Sequence, residues 1–132
     1  METLNIDDGA VRLCINGDED RVITFYPTDA HFAEAFFGLA KTLNDKQKEL
    51  EKLENVDVDE GLKVRLDTGR FVREEIDKVF GRGTSQTAFG DHDNLSCYIQ
   101  FFRGIEPYVR NARKKEIERY MKDGSDDGVM DA

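Results

Sequence analysis

The chain is short of bases, of histidine, of cysteine and of long apolar runs, and each shortage excludes something. Lys and Arg number 19 against 28 Asp and Glu, giving a formal net charge of −9 over 132 residues. A general nucleic-acid binder needs a clustered basic face to neutralise phosphates, and an anionic membrane surface makes the same demand. No apolar run approaches the ~18 residues that would mark a membrane-spanning helix. The first residues, METLNIDDGAV, have neither a basic segment nor an apolar core of the secretory kind, so no signal peptide is expected. The two cysteines, Cys14 and Cys97, lie 83 positions apart and fit no CxxC pattern. They read as packed thiols in a reducing cytoplasm. His31 and His92 are the only histidines, too few for a histidine-based metal site without convergent help.

What is present suffices for one folded domain. Nine Phe and four Tyr, with 39% apolar residues, argue against wholesale disorder. Residues 11–16, VRLCIN, alternate apolar and polar positions at a period of two. Residues 21–26, RVITFY, are β-branched and aromatic. Asn16-Gly17 suits a tight turn with positive φ, so 11–26 predicts one β-hairpin, with polar residues 17–20 as its turn. Pro27 stops the sheet. Thr28 and Asp29 are the candidate helix caps.

A long helix is predicted over about 29–54. Phe32, Phe36, Leu39, Leu43, Leu50 and Leu53 fall on interlocking seven-residue repeats broken only at Lys46. A second helix over about 60–80 places Leu62, Leu66, Val72, Ile76, Val79 and Phe80 on one face, with Gly69 among them and Gly81 as its stop. Residues 81–90, GRGTSQTAFG, read as a loop. The third helix opens at Asp93 or Asn94 with the stripe Leu95, Tyr98, Ile99, Phe102, Ile105, Val109, Ala112, Ile117 and Tyr120. Pro107 predicts a kink or break near 103–107. The expected fold is α+β, mainly α: an N-terminal β-hairpin followed by three helices, the third kinked near Pro107. Its parts are a frayed segment 1–10, a domain 11–122 and a disordered acidic tail 123–132. The expected core includes Phe32, Phe36, Leu39, Leu66, Ile76 and Phe102.

No residues are singled out for catalysis, cofactor binding or metal ligation. The glycine-rich loop lacks the lysine of a phosphate-binding GxxxxGK[ST] and follows a helix where that motif follows a strand. Asp91-His92-Asp93 are consecutive and point in different directions, so Asp93 reads as a helix cap. Cys14 on a strand and Cys97 among apolar neighbours lack an adjacent base and orienting acid. The segment Arg110, Arg113, Lys114, Lys115, Arg119 could touch nucleic acid, but the rest of the molecule repels phosphate. The sequence therefore points to a non-enzyme that works by contact. The hairpin's unpaired edges and the heptad helix are the places where a partner or a second copy can add. The candidates are Val11, Leu13, Ile15, Val22, Ile23 and Phe25, dividing between core and partner, and Leu43, Leu50 and Leu53. The hairpin can pair in cis or in trans.

The stretch Ile15–Phe36, INGDEDRVITFYPTDAHFAEAF, resembles the opening of small acidic proteins encoded in the tail modules of long-tailed phages and prophages of Gram-positive bacteria. Pro27, Thr28, Asp29, Phe32, Ala33, Glu34 and Phe36 carry the likeness, which covers about a sixth of the chain. The resemblance implies a tail assembly chaperone of the host cytoplasm, absent from the mature virion. Such a protein coats the tape-measure protein and self-associates. In some members a longer frameshifted product binds tail tube subunits. A structural tail-completion or connector protein of the virion, or a small helical regulatory adaptor, is the alternative.

Charge is distributed unevenly. Residues 1–60 carry 15 acids and 6 bases, residues 103–122 carry 7 bases and 3 acids, and the last ten residues carry four aspartates. This polarity allows head-to-tail contacts between copies.

Overall fold

The computed structural model describes residues 1–53 and 57–130. Its elements are β1 (Val11–Ile15), β2 (Asp18–Phe25), α1 (Ala30–Glu51), α2 (Val58–Phe80), α3 (Thr84–Phe89) and α4 (Leu95–Met130). The fold is α+β and mainly α: a β-hairpin followed by a helical region of four segments.

The hairpin forms where the alternating pattern places it, and Asn16 (φ 53°) and Gly17 (φ 76°) supply the two positive-φ positions of its turn. Val11, Arg12, Leu13 and Cys14 face Phe25, Thr24, Ile23 and Val22 in an antiparallel ladder. Ile15 then pairs with Asp18, so Glu19, Asp20 and Arg21 form an irregularity in β2. The polar stretch expected as a turn is thus the start of the second strand. A two-residue turn leaves these residues nowhere else to go.

Beyond the sheet, Asp29 N–H donates to the Tyr26 carbonyl at 3.0 Å, closing a turn with Pro27 at its second position. That turn delivers the Asp29 carboxylate to the N–H groups of His31 (2.8 Å) and Phe32 (3.4 Å). Asp29 is the N-cap and Thr28 is not. Thr28 instead lies beside Gly9, whose φ of +73° brings the backbone within reach of the threonine hydroxyl.

The core is an aromatic chain that joins all the layers. Phe25 from β2 contacts Phe32 of α1, Phe80 of α2 and Tyr108 of α4, with centroids 5.8–5.9 Å apart. Phe80 also meets Phe36 and Phe101, and Phe101 continues to Phe89 of α3. Phe32, Phe36, Leu39, Ile76 and Phe102 are buried there, as the sequence predicts. Leu66 is the exception, at 49% exposure. The approach to α4 passes α2 closely at Gly69, where an added Cβ would lie 2.6 Å from Asp93, and Arg73 of α2 bonds the Tyr98 hydroxyl. Residues 62–67 of α2, before the buried Thr68, are exposed.

Three further expectations are corrected. Residues 84–89 form α3 inside the segment read as a loop. The break expected as one outcome near Pro107 does not occur, since α4 runs through it. One missing N–H costs one helical hydrogen bond, and packing of Phe102, Ile105 and Val109 on either side holds the helix together. The helix continues to Met130, so residues 123–130 prolong it where a disordered acidic tail is expected. No proline follows Pro107 to interrupt its local hydrogen bonds. Residues 131–132, part of the same expectation, lie outside the described residues, as do residues 54–56 between the first two helices. In the third-helix stripe, Ile117 is exposed, and the side chain of Tyr120 lies outside the described residues.

Phe25 carries the hairpin's attachment to the helices. Phe25→Ala is expected to cost about 3–5 kcal/mol of stability, the range for truncating a buried aromatic. Thermal unfolding measures it; an unchanged Tm would mean that the hairpin is not part of the cooperative core.

Candidate functional site

The residues proposed for partner contact divide according to which side of the hairpin and of α1 they occupy. Ile23 and Phe25 are buried under the helices and cannot meet a partner. Leu43 and Leu50 are likewise buried, and Leu53 is half-buried, because α1 spends its heptad seam on α2. The seam reads as an open interface in sequence because its partner helix is the next element of the same chain. Val22 is exposed at 44%, while Val11, Leu13 and Ile15 are half-buried against the core margin.

Three surfaces remain. The first is an open cleft of about 1200 Å³ between β1 and α4. One wall is the strand itself, residues 12–16, and the other includes Cys97, Phe101, Gly104, Ile105 and Tyr108 of α4. The two free cysteines, distant in sequence, both line this cleft. The second is a ridge on α2 of Val58, Leu62 and Leu66, at 73%, 50% and 49% exposure. Spacing of four keeps the three on one line along the helix. Sequence pattern marks Leu62 and Leu66 as apolar-face residues but cannot say that the face has no cover. The third is a hollow of about 350 Å³ formed by Phe37 and the α4 residues Arg110, Arg113, Lys114, Ile117 and Glu118. Arg110 stacks over Phe37 at 5.2 Å and pairs with Glu106, so part of the basic segment is engaged within the molecule.

Polar side chains fasten the short helix α3 in place. Asp77 of α2 accepts hydrogen bonds from the Ser85 N–H (2.8 Å) and hydroxyl (3.1 Å) at its start. At its end, Arg21 of β2 donates to the carbonyls of Thr87 (3.0 Å) and Ala88 (2.8 Å). Arg73 of α2 donates to the carbonyls of Gly90 and His92 just beyond, and to the Tyr98 hydroxyl at 3.2 Å. Tyr98 in turn donates to Asp93 at 2.7 Å, and Arg73 lies 3.6 Å from the same carboxylate oxygen. Asp93 is therefore a tertiary anchor, and Asn94 caps α4 through its side-chain oxygen on Ser96 N–H. Nothing local in sequence marks Arg21, Arg73 or Asp77, since their partners are remote.

Among the described residues, no buried side-chain nitrogen or oxygen lacks a hydrogen-bond partner. Among the described residues, no three His, Cys, Asp or Glu side chains group to hold a metal, and no helix is long and apolar enough to cross a membrane.

A family model of unknown function, DUF6673, matches residues 19–126. The chain belongs to this family. The match takes in β2, all of α1, α2 and α3, and α4 as far as residue 126, while β1 and residues 1–10 precede it. Comparison with curated proteins and with solved structures gives no match.

Burial raises the Tyr98 phenol above its usual pKa of 10.0; the hydrogen bond to Asp93 adds to the rise and Arg73 opposes it. A tyrosine whose folded pKa is raised contributes fully below its unfolded pKa and loses that contribution as pH climbs through the folded value. At neutral pH Tyr98→Phe should cost about 1 kcal/mol for the lost hydrogen bond. The stability gap between the native chain and Tyr98→Phe should shrink above pH 10.0, the unfolded reference value. Paired denaturant melts from neutral to alkaline pH measure the gap; one that widens would overturn the assignment.

Proposed function

We propose that this protein is a non-catalytic tail assembly chaperone of a long-tailed phage or prophage, acting in the bacterial cytoplasm by binding the apolar helices of a tape-measure protein. The observation that carries the reading is the uncovered α2 ridge. Val58, Leu62 and Leu66 form an apolar line bordered by Asp59, Lys63, Arg65 and Asp67. An amphipathic helix laid along such a line buries its own apolar face and leaves its polar face to water. A charged border around an apolar strip keeps the unbound protein soluble and makes the contact reversible.

The resemblance over Ile15–Phe36 supports the same reading. Its residues form a sheet stop, a capped helix start and core aromatics: Pro27 is buried, Asp29 caps α1, and Phe32 and Phe36 join the aromatic chain. A coating protein needs repeated modest contacts along a long client, together with association between copies. Tail tube subunits are a further partner through a longer product, and the chaperone is absent from the finished particle.

Co-expression with the tape-measure protein of the same locus tests the proposal. The client should become soluble and co-purify. The double variant Leu62→Glu/Leu66→Glu, at exposed positions where substitutions usually change stability by about 0.5 kcal/mol or less, should reduce co-purification about tenfold. A tape measure that stays insoluble beside the folded chain would overturn the proposal. So would recovery of the chain from purified particles, which favours the virion-connector alternative.

A further inference from the structure

Residues 1–10 have no regular secondary structure, yet they carry a strand-like pattern. Leu4 and Ile6 are two positions apart and 84% and 76% exposed. In an extended segment, residues at that spacing share one face, and their neighbours Thr3, Asn5 and Asp7 share the other. An apolar pair held in water costs free energy that pairing with a sheet would recover.

The free edge of β1 offers that pairing. The sheet has two strands, in the order β1-β2, so β1 has one neighbour and its other edge lines the cleft against α4. Among the described residues no backbone group outside the hairpin bonds to β1. The cleft floor is apolar where a strand's inward side chains would fall, at Phe101 and Ile105 beside Leu13 and Ile15. A side chain built on Gly104 would meet nothing within 4 Å, which leaves that wall open. Arg12, at the rim of the cleft on the face of β1 opposite Leu13 and Ile15, is exposed and makes no hydrogen bond or ion pair among the described residues.

We infer that the N-terminal segment of one copy, residues 3–7, adds as a third strand to the β1 edge of a second copy. Leu4 and Ile6 enter the cleft beside Leu13 and Ile15. Thr3, Asn5 and Asp7 lie on the outward face with Arg12 and Cys14, where the Asp7 carboxylate complements the Arg12 guanidinium. The same segment does not fold back on its own β1 edge. Gly9 (φ +73°) sits against Thr28, beyond the end of β2, and Asp8 lacks the positive φ that a two-residue Asp-Gly hairpin turn would require. Because each copy has one donor segment and one acceptor edge, the contact can close into a reciprocal dimer or continue from copy to copy. This deepens the self-association within the proposed function, and its test uses the isolated chain, so it succeeds or fails separately from tape-measure binding.

The test is the mass of the full chain by light scattering over a concentration series, with Leu4→Asp/Ile6→Asp as the variant. Both positions are exposed, so the variant should keep its fold and its Tm. The native chain should associate, and the variant should weaken association about tenfold or more. In the second arm, Thr3→Cys and Asn5→Cys are oxidised mildly with copper phenanthroline. At least one should form a disulfide-linked dimer that disappears when Cys14→Ser is added. A native chain that is monomeric throughout, an association indifferent to Leu4 and Ile6, or a Cys14 bridge formed within a single chain would each overturn the inference.

Discussion

A two-stranded hairpin has only marginal stability in water, so everything else in this molecule depends on how its inner face is covered. Phe25 is where that cover is made. It is fully buried, and its ring touches α1, α2 and α4. Phe80 is the matching centre on the helical side, in contact with Phe25, Phe32, Phe36 and Phe101. These rings supply much of the core of a chain of modest length, since each aromatic buries a large apolar area.

Covering one face of the hairpin leaves its outer edge bare. β2 is held to α3 by Arg21, while β1 faces a cleft. The helices show the same asymmetry. α1 uses its seam on α2, while Val58, Leu62 and Leu66 in the first part of α2 stay exposed as an apolar ridge. The available surfaces are therefore determined by where the intramolecular packing stops.

Much of the fold was legible because its signals are local. Period-two alternation with Asn16-Gly17 marks the hairpin, Pro27 marks its end, and Gly81, with φ +127°, marks the end of α2. The helix α3 was not legible. Its six residues are too few to hold a helix unaided, and the groups that fix it come from Asp77, Arg21 and Arg73. The choice of Asp29 over Thr28 as cap has a similar reason, since the turn closed on the Tyr26 carbonyl decides which side chain reaches the first helical N–H groups. The candidate surface was legible only as a set of apolar residues. Pattern places Leu66 and Ile76 on one face, yet the leucine is exposed and the isoleucine is buried, a difference made by what packs opposite each.

By itself the sequence determined the hairpin-then-helices order, the aromatic core, the acidity and the lack of any recognisable catalytic motif, because each is written in composition or in spacing over a few residues. The tertiary structure alone decided that the heptad seam of α1 is internal, that Phe25 and Ile23 belong to the core, and that Cys14 and Cys97 share a cleft. It also decided that β1 and the start of α2 are left uncovered. Those outcomes depend on which elements meet and how far each one reaches. Periodicity along a chain records which face of an element is apolar, but it carries no information about what lies opposite that face.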